Sequence, residues 1–175
     1  RNTGKGFEDM TQSSGLAAYT GWWNSLTGAD FDRDGDIDYI AGNWGLNSSY
    51  CAAPDEPMQI YADDFDGNGS TDAVIGCYFD EADGGRGAYA IHTRLDIIKQ
   101  LNVMRCRYPT FASYGSQPFV DLLTEEEKKD AFYAQATHLS SSYLENKGDG
   151  TFVVHELPRA MQLAPVYGLV TMDIN

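Results

Sequence analysis

Asp30-Phe-Asp-Arg-Asp-Gly-Asp-Ile-Asp38 and Asp64-Phe-Asp-Gly-Asn-Gly-Ser-Thr-Asp72 follow one pattern. Each places an oxygen-bearing side chain at loop positions one, three, five and nine, with Gly at position six, the spacing by which a short loop surrounds a hard divalent cation with oxygens. Asp30, Asp32 and Asp34 lie within five residues and, as free carboxylates, resist ionising together. A bound cation removes that conflict. Gly35 and Gly69 let the chain turn sharply at position six, and they set the register so that Asp36 and Ser70, at position seven, contribute backbone carbonyls. The predicted ligands are therefore Asp30, Asp32, Asp34 and Asp38 with the carbonyl of Asp36, and Asp64, Asp66, Asn68 and Asp72 with the carbonyl of Ser70. The expected cofactor is calcium, about two ions at one per loop.

An EF-hand would carry a bidentate Glu at position twelve and a helix on each side, but position twelve is Ala41 in one copy and Ile75 in the other. Each loop instead runs into a short apolar, partly β-branched segment, Ile37 to Ala41 and Ala73 to Tyr78, which predicts a strand. The loops are thus expected to join strands. A single Asp- and Gly-rich nonapeptide reads equally well as a polar hairpin turn; two copies sharing four ligand positions do not. A third copy starts at Asp173-Ile-Asn175 with positions one and three, so the chain is expected to end inside a repeat.

At 175 residues the chain can bury a sizeable core, and its 42% apolar and 13% aromatic content excludes intrinsic disorder. A formal charge of −14 excludes nucleic acid and anionic membrane surfaces as main partners, since both require basic patches. Three cysteines, Cys51, Cys77 and Cys106, lack CxxC spacing and leave room for one disulfide and no zinc site. No apolar run is long enough to insert in a membrane. Calcium modules of modest affinity suit the calcium-rich exterior of cells, so an exported location is expected (extracellular, cell surface or periplasmic), with a signal upstream of Arg1.

A second landmark recurs as Thr3-Gly-Lys-Gly-Phe7 and Asn146-Lys-Gly-Asp-Gly-Thr-Phe152, a tight glycine turn followed by an aromatic. Strands are predicted over Ser25 to Phe31, Met58 to Asp63, Thr151 to Leu157 and Leu169 to Asp173, with a loop from Trp44 to Pro57. Asp64 follows Asp30 by 34 positions, within the range of solenoids, propellers and arrays. Before the third copy a helical insertion intervenes. Helices are predicted over Arg94 to Cys106, capped by Thr93, and over Glu125 to Tyr133, where Thr124 and Glu127 form a capping box; β pattern resumes at Ala134. The resulting organisation is residues 1–92 as blades with two calcium loops, 93–133 as the helical insertion, and 134–175 as a resumed blade truncated at the third loop.

These stretches resemble the FG-GAP/VCBS calcium-loop repeats of β-propellers, most closely bacterial VCBS-repeat proteins related to the cartilage acidic protein group. The resemblance is carried by Leu26-Thr-Gly-Ala-Asp-Phe-Asp-Arg-Asp-Gly-Asp-Ile-Asp38 with Gly42-Asn-Trp-Gly-Leu-Asn47, by Tyr61-Ala-Asp-Asp-Phe-Asp-Gly-Asn-Gly69, by Tyr143-Leu-Glu-Asn-Lys-Gly-Asp-Gly-Thr-Phe152, and by Leu157-Pro158 through Ala164-Pro-Val-Tyr-Gly168. It implies a mainly β fold with a helical insertion, a partial β-propeller of antiparallel blades holding calcium in inter-strand loops, and no enzymatic activity. Asn68 departs from the Asp of the pattern and should weaken the second site. Without an insertion of about 45 residues, about 130 remain, enough for some three blades at about 40 residues each, whereas closed propellers use four to eight. The chain is then a fragment of a larger propeller, and its open strand edges are expected to favour self-association.

Two function classes fit this pattern. One is a non-catalytic binding or scaffold module presenting a surface to a protein or glycan. The alternative is a glycan-active propeller enzyme using paired carboxylates. No Gly-x-Ser-x-Gly elbow occurs, and His92, His138 and His155 lie in no recognisable catalytic motif. Trp22, Trp23 and Trp44 suit either a sugar-stacking platform or core packing. Arg94, Lys99, Arg105, Arg107, Lys128 and Lys129 suit either an acidic partner or a solvated helix face.

Overall fold

Alternating side chains and glycine-bearing turns build two four-stranded antiparallel sheets, in a computed structural model that describes residues 1–172. The strands are β1 (Ser25–Ala29), β2 (Asp38–Gly42), β3 (Met58–Asp63), β4 (Asp72–Asp80), β5 (Arg86–Ala90), β6 (Phe132–Ala136), β7 (Ser142–Asn146) and β8 (Phe152–Glu156). One sheet has the order β1-β2-β7-β8 and the other β5-β4-β3-β6. Both acidic loops join strands, as expected: the first links β1 to β2 and the second β3 to β4. Their registers agree too, because the residue before position one faces position nine in each case, Ala29 opposite Asp38 and Asp63 opposite Asp72. Three blades were expected; among the described residues there are two sheets, because β6 joins β3 instead of opening a further blade.

The chain divides into two compact units, one of residues 50–136 and one of 1–49 with 137–175. In the first, five short helices cover the sheet: α1 (Arg94–Gln100), α2 (Met104–Arg107), α3 (Phe111–Gly115), α4 (Phe119–Leu122) and α5 (Glu125–Lys129). Ile97, Leu101, Met104, Phe119 and Leu122 bury themselves with Val74 of β4 in one apolar cluster. Gly76 is required there, because a Cβ at that position would sit 2.5 Å from the Phe119 ring. Arg107 pairs with Glu127 at 2.7 Å and holds α2 to α5.

The predicted helix from Arg94 to Cys106 starts on its Thr93 cap but breaks at Leu101, which is extended and buried, so that α2 starts anew at Met104. The helix expected to reach Tyr133 has its capping box, Thr124 with Glu127, and stops at Lys129. Beyond it, Phe132 and Tyr133 are strand residues paired with Ala62 and Tyr61. Two further short helices, α3 and α4, occupy the stretch that Tyr108-Pro109 and Gln117-Pro118 interrupt; Pro118 caps α4.

The other unit buries mostly polar groups: Ser14, Asp38, Asn43, Ser140, Ser141, Ser142 and Gln162, beside Ala41 and Leu139. Several of these groups satisfy one another. Asn43 donates its amide to Ser141 Oγ (3.0 Å) and its Nδ2 to the His138 carbonyl (2.9 Å), while Gln162 accepts the Ser141 amide (2.8 Å) and donates to the Ser141 carbonyl (2.9 Å). Both glycine landmarks form hairpins, Asn2 bridging Phe7 and Asn146 pairing with Phe152. Of the expected strand Leu169 to Asp173, residues 169–172 are in no strand, and the third loop start, Asp173-Ile-Asn175, lies outside the described residues. All three cysteines are free thiols; Cys77 is buried and Cys51 and Cys106 are exposed. No helix among the described residues is long and apolar enough to cross a membrane.

Candidate metal centre

Each acidic loop is held in shape by its own carboxylates. In the first, the Asp34 amide donates to Asp30 Oδ1 (3.1 Å) and to Asp32 Oδ1 (3.2 Å), the Gly35 amide to Asp30 Oδ2 (3.1 Å), the Asp36 amide to Asp34 Oδ1 (3.0 Å) and the Phe31 amide to Asp38 Oδ2 (3.1 Å). The second repeats the frame atom for atom. Asn68 donates to Asp64 (2.9 Å) and Asp66 (3.2 Å), Gly69 to Asp64 (2.8 Å), Ser70 to Asn68 (2.8 Å) and Phe65 to Asp72 (3.1 Å). The turn needs left-handed backbone twice, at position six (Gly35, φ 97°; Gly69, φ 85°) and at position four (Arg33, φ 68°; Gly67, φ 71°). The sequence pattern revealed only position six.

Asp30, Asp32 and Asp38 present carboxylate oxygens within 4.8 Å of one another, as do Asp64, Asp66 and Asp72, and either triad could hold a metal ion. Positions one, three and nine are thus brought together. At position five, Asp34 and Asn68 each accept the position-seven amide. At position seven the Ser70 side chain is exposed, whereas Asp36 is half-buried and its Oδ1 is buried without a hydrogen-bond partner.

The donor set fits a hard cation: it is all oxygen, and in the same loop Asp36 Oδ1 is buried without a hydrogen-bond partner, a desolvation that a nearby cation would offset. Burial raises the Asp32 and Asp36 carboxyls above the ordinary range, and the neighbouring carboxylates add to it.

The ninth positions differ. Asp38 is wholly buried. Burial pushes its carboxyl up, but the Asn146 amide (2.9 Å to Oδ1), the Tyr143 hydroxyl (2.8 Å to Oδ2) and the Phe31 amide more than offset this, so it lies below the usual range. Asp72 is also buried, and there burial outweighs the Phe65 amide, while repulsion from Asp66 and Asp64 adds to the upward shift. Sequence reasoning missed Tyr143 and Asn146 as supports; their only signal was that Asn146 opens the second landmark and Tyr143 lies three positions before it.

Most of the remaining candidates are engaged within their own units. His92 Nε2 accepts the Ile75 amide (3.3 Å), His138 meets the fully buried Ser142 hydroxyl (2.8 Å), and His155 meets Glu145 (2.8 Å). Trp22 stacks on Trp44 at 4.6 Å, and Trp23 lies against the His138 ring. Arg94 donates to the Tyr108 and Pro109 carbonyls, and Lys99, Arg107 and Lys128 pair with Asp96, Glu127 and Glu125.

Comparison with known protein families, with characterised proteins and with solved structures returns no match.

Proposed function

We propose that this chain is a non-catalytic calcium-binding module, a portion of a larger β-propeller of the FG-GAP/VCBS type, in which about one ion per loop stiffens the strand connections. The observation that carries the reading is the repetition of one hydrogen-bonded frame, with the same three converging carboxylates, in two loops 34 positions apart. Two four-stranded antiparallel sheets, each with its acidic loop between sequential strands, suit propeller blades. The stiffened sheets would present a surface to a protein or glycan partner in an exported protein. Ligands supplied almost wholly by the loop mark a structural ion rather than a catalytic one.

Thermal melting with calcium and with chelator tests this. Calcium at about one hundred times its dissociation constant contributes about 2.7 kcal/mol per linked site, and the midpoint should rise by roughly 5 to 10 °C. The rise should vanish when Asp32→Asn and Asp66→Asn are combined. Identical melting with and without chelator would overturn the reading.

A further inference from the structure

The first loop differs from the second in where its ninth carboxylate finds support. Asp38 is reached from the far end of the sequence: the Tyr143 hydroxyl, 105 positions on, donates to Oδ2, and the Asn146 amide, 108 positions on, donates to Oδ1. Asn146 also donates its side-chain Nδ2 to the Ile37 carbonyl at 3.1 Å. Gly148, at the tip of the β7–β8 hairpin, passes so close that a Cβ there would lie 3.2 Å from Asp36 Oδ2. The hairpin therefore touches positions eight and nine and closes over position seven, whose other oxygen is the orphaned one. Among the described residues, the donors to Asp72 in the second loop come from that loop itself.

Phe31 and Tyr143 both donate to Asp38 Oδ2, which fixes the rotation of the carboxylate. Oδ1 accepts the Asn146 amide, and the Asp38 carboxylate converges with those of Asp30 and Asp32 closely enough to share an ion. We propose that Tyr143 and Asn146 are positioning residues for the cation of the first loop, so that filling this site and docking the β7–β8 hairpin form one linked equilibrium. The proposal rests on the calcium reading above and goes beyond it. Linkage is reciprocal: whatever the docked hairpin adds to ion affinity, the ion returns to hairpin docking. The second loop's ion has no such distant consequence.

Calcium titration by calorimetry on two backgrounds separates the claims. Asp64→Asn with Asp66→Asn leaves the first loop to bind, and Asp30→Asn with Asp32→Asn leaves the second. Groups that orient metal ligands are worth about 10- to 100-fold in affinity, so Tyr143→Phe should weaken calcium binding about tenfold or more in the first background and leave the second within about twofold. Calcium should also slow hydrogen exchange of the Asn146 amide in the first background only. If that background binds calcium yet Tyr143→Phe leaves its affinity within about twofold, the linkage is wrong and the calcium reading survives. Absence of calcium binding in both backgrounds would remove both. Should Tyr143→Phe prevent folding, the exchange of Asn146 in the unsubstituted hairpin decides, and no calcium-dependent protection there overturns the proposal.

Discussion

The unit of residues 50–136 and the unit built from both ends of the chain carry the same acidic loop but hold together by different forces. The former buries Val74, Ile97, Leu101, Met104, Phe119 and Leu122 in one apolar cluster. The latter buries Asp38, Asn43, three consecutive serines and Gln162 in a network of specific hydrogen bonds. Apolar burial is non-directional and degrades gradually, whereas a buried polar network loses much of its worth when one partner goes, since the group left behind stays desolvated. One loop design can therefore serve a unit that already has a core and a unit whose buried centre includes a loop carboxylate.

The largest effect expected is in the apolar unit. Phe119→Ala empties a site that Gly76 and Tyr61 are shaped around, and should cost about 3 to 5 kcal/mol, read as faster hydrogen exchange of the β3 and β4 amides. In the polar unit the comparable substitution is Asp38→Asn, measured in chelator so that ion binding does not enter. Three donors converge on Asp38, and replacing an acceptor oxygen by an NH2 group should cost on the order of 2 kcal/mol, read as faster exchange at Asn146. If Asp38→Asn is silent in chelator while Phe119→Ala is not, the contrast drawn between the units fails.

Acid should weaken both units. Burial holds His92 and His138 below the ordinary imidazole range, partly countered by Asp96 and Glu156 respectively. The unfolded chain then binds more protons than the folded one as pH falls through about 6.5, so this contribution is present above that value and is lost below it. Melting midpoints measured in chelator should fall between about pH 7.5 and pH 5.5, and less so with His92→Gln for residues 50–136. The smallest effect sharpens the comparison of the loops themselves. Arg33 adopts the left-handed backbone that Gly67 adopts in the second copy, so Arg33→Gly should stabilise the first loop by about 0.5 kcal/mol. A small rise in melting midpoint checks it.

The loops and their flanking strands were legible because their determinants are local. Side chains at positions one, three and five bond amides at most five residues away, and position nine takes the amide seven residues before it in both loops; the Thr124 cap with Glu127 is equally local. What escaped the sequence depends on distant partners. Phe132 and Tyr133 look helical after Glu125 to Lys129, but pairing with β3 and the Tyr61 ring makes them strand. The break at Leu101 is set by the cluster it enters, not by any Gly or Pro. Tyr143 and Asn146 could not be assigned to Asp38 before the topology placed β7 beside β2.

The most direct test is diffraction from crystals grown in calcium, at a wavelength where calcium scatters anomalously. One peak is expected in each loop, about 2.3 to 2.6 Å from carboxylate oxygens of Asp30, Asp32 and Asp38, and likewise of Asp64, Asp66 and Asp72. Water alone among those oxygens, in calcium-replete crystals, would contradict the calcium assignment.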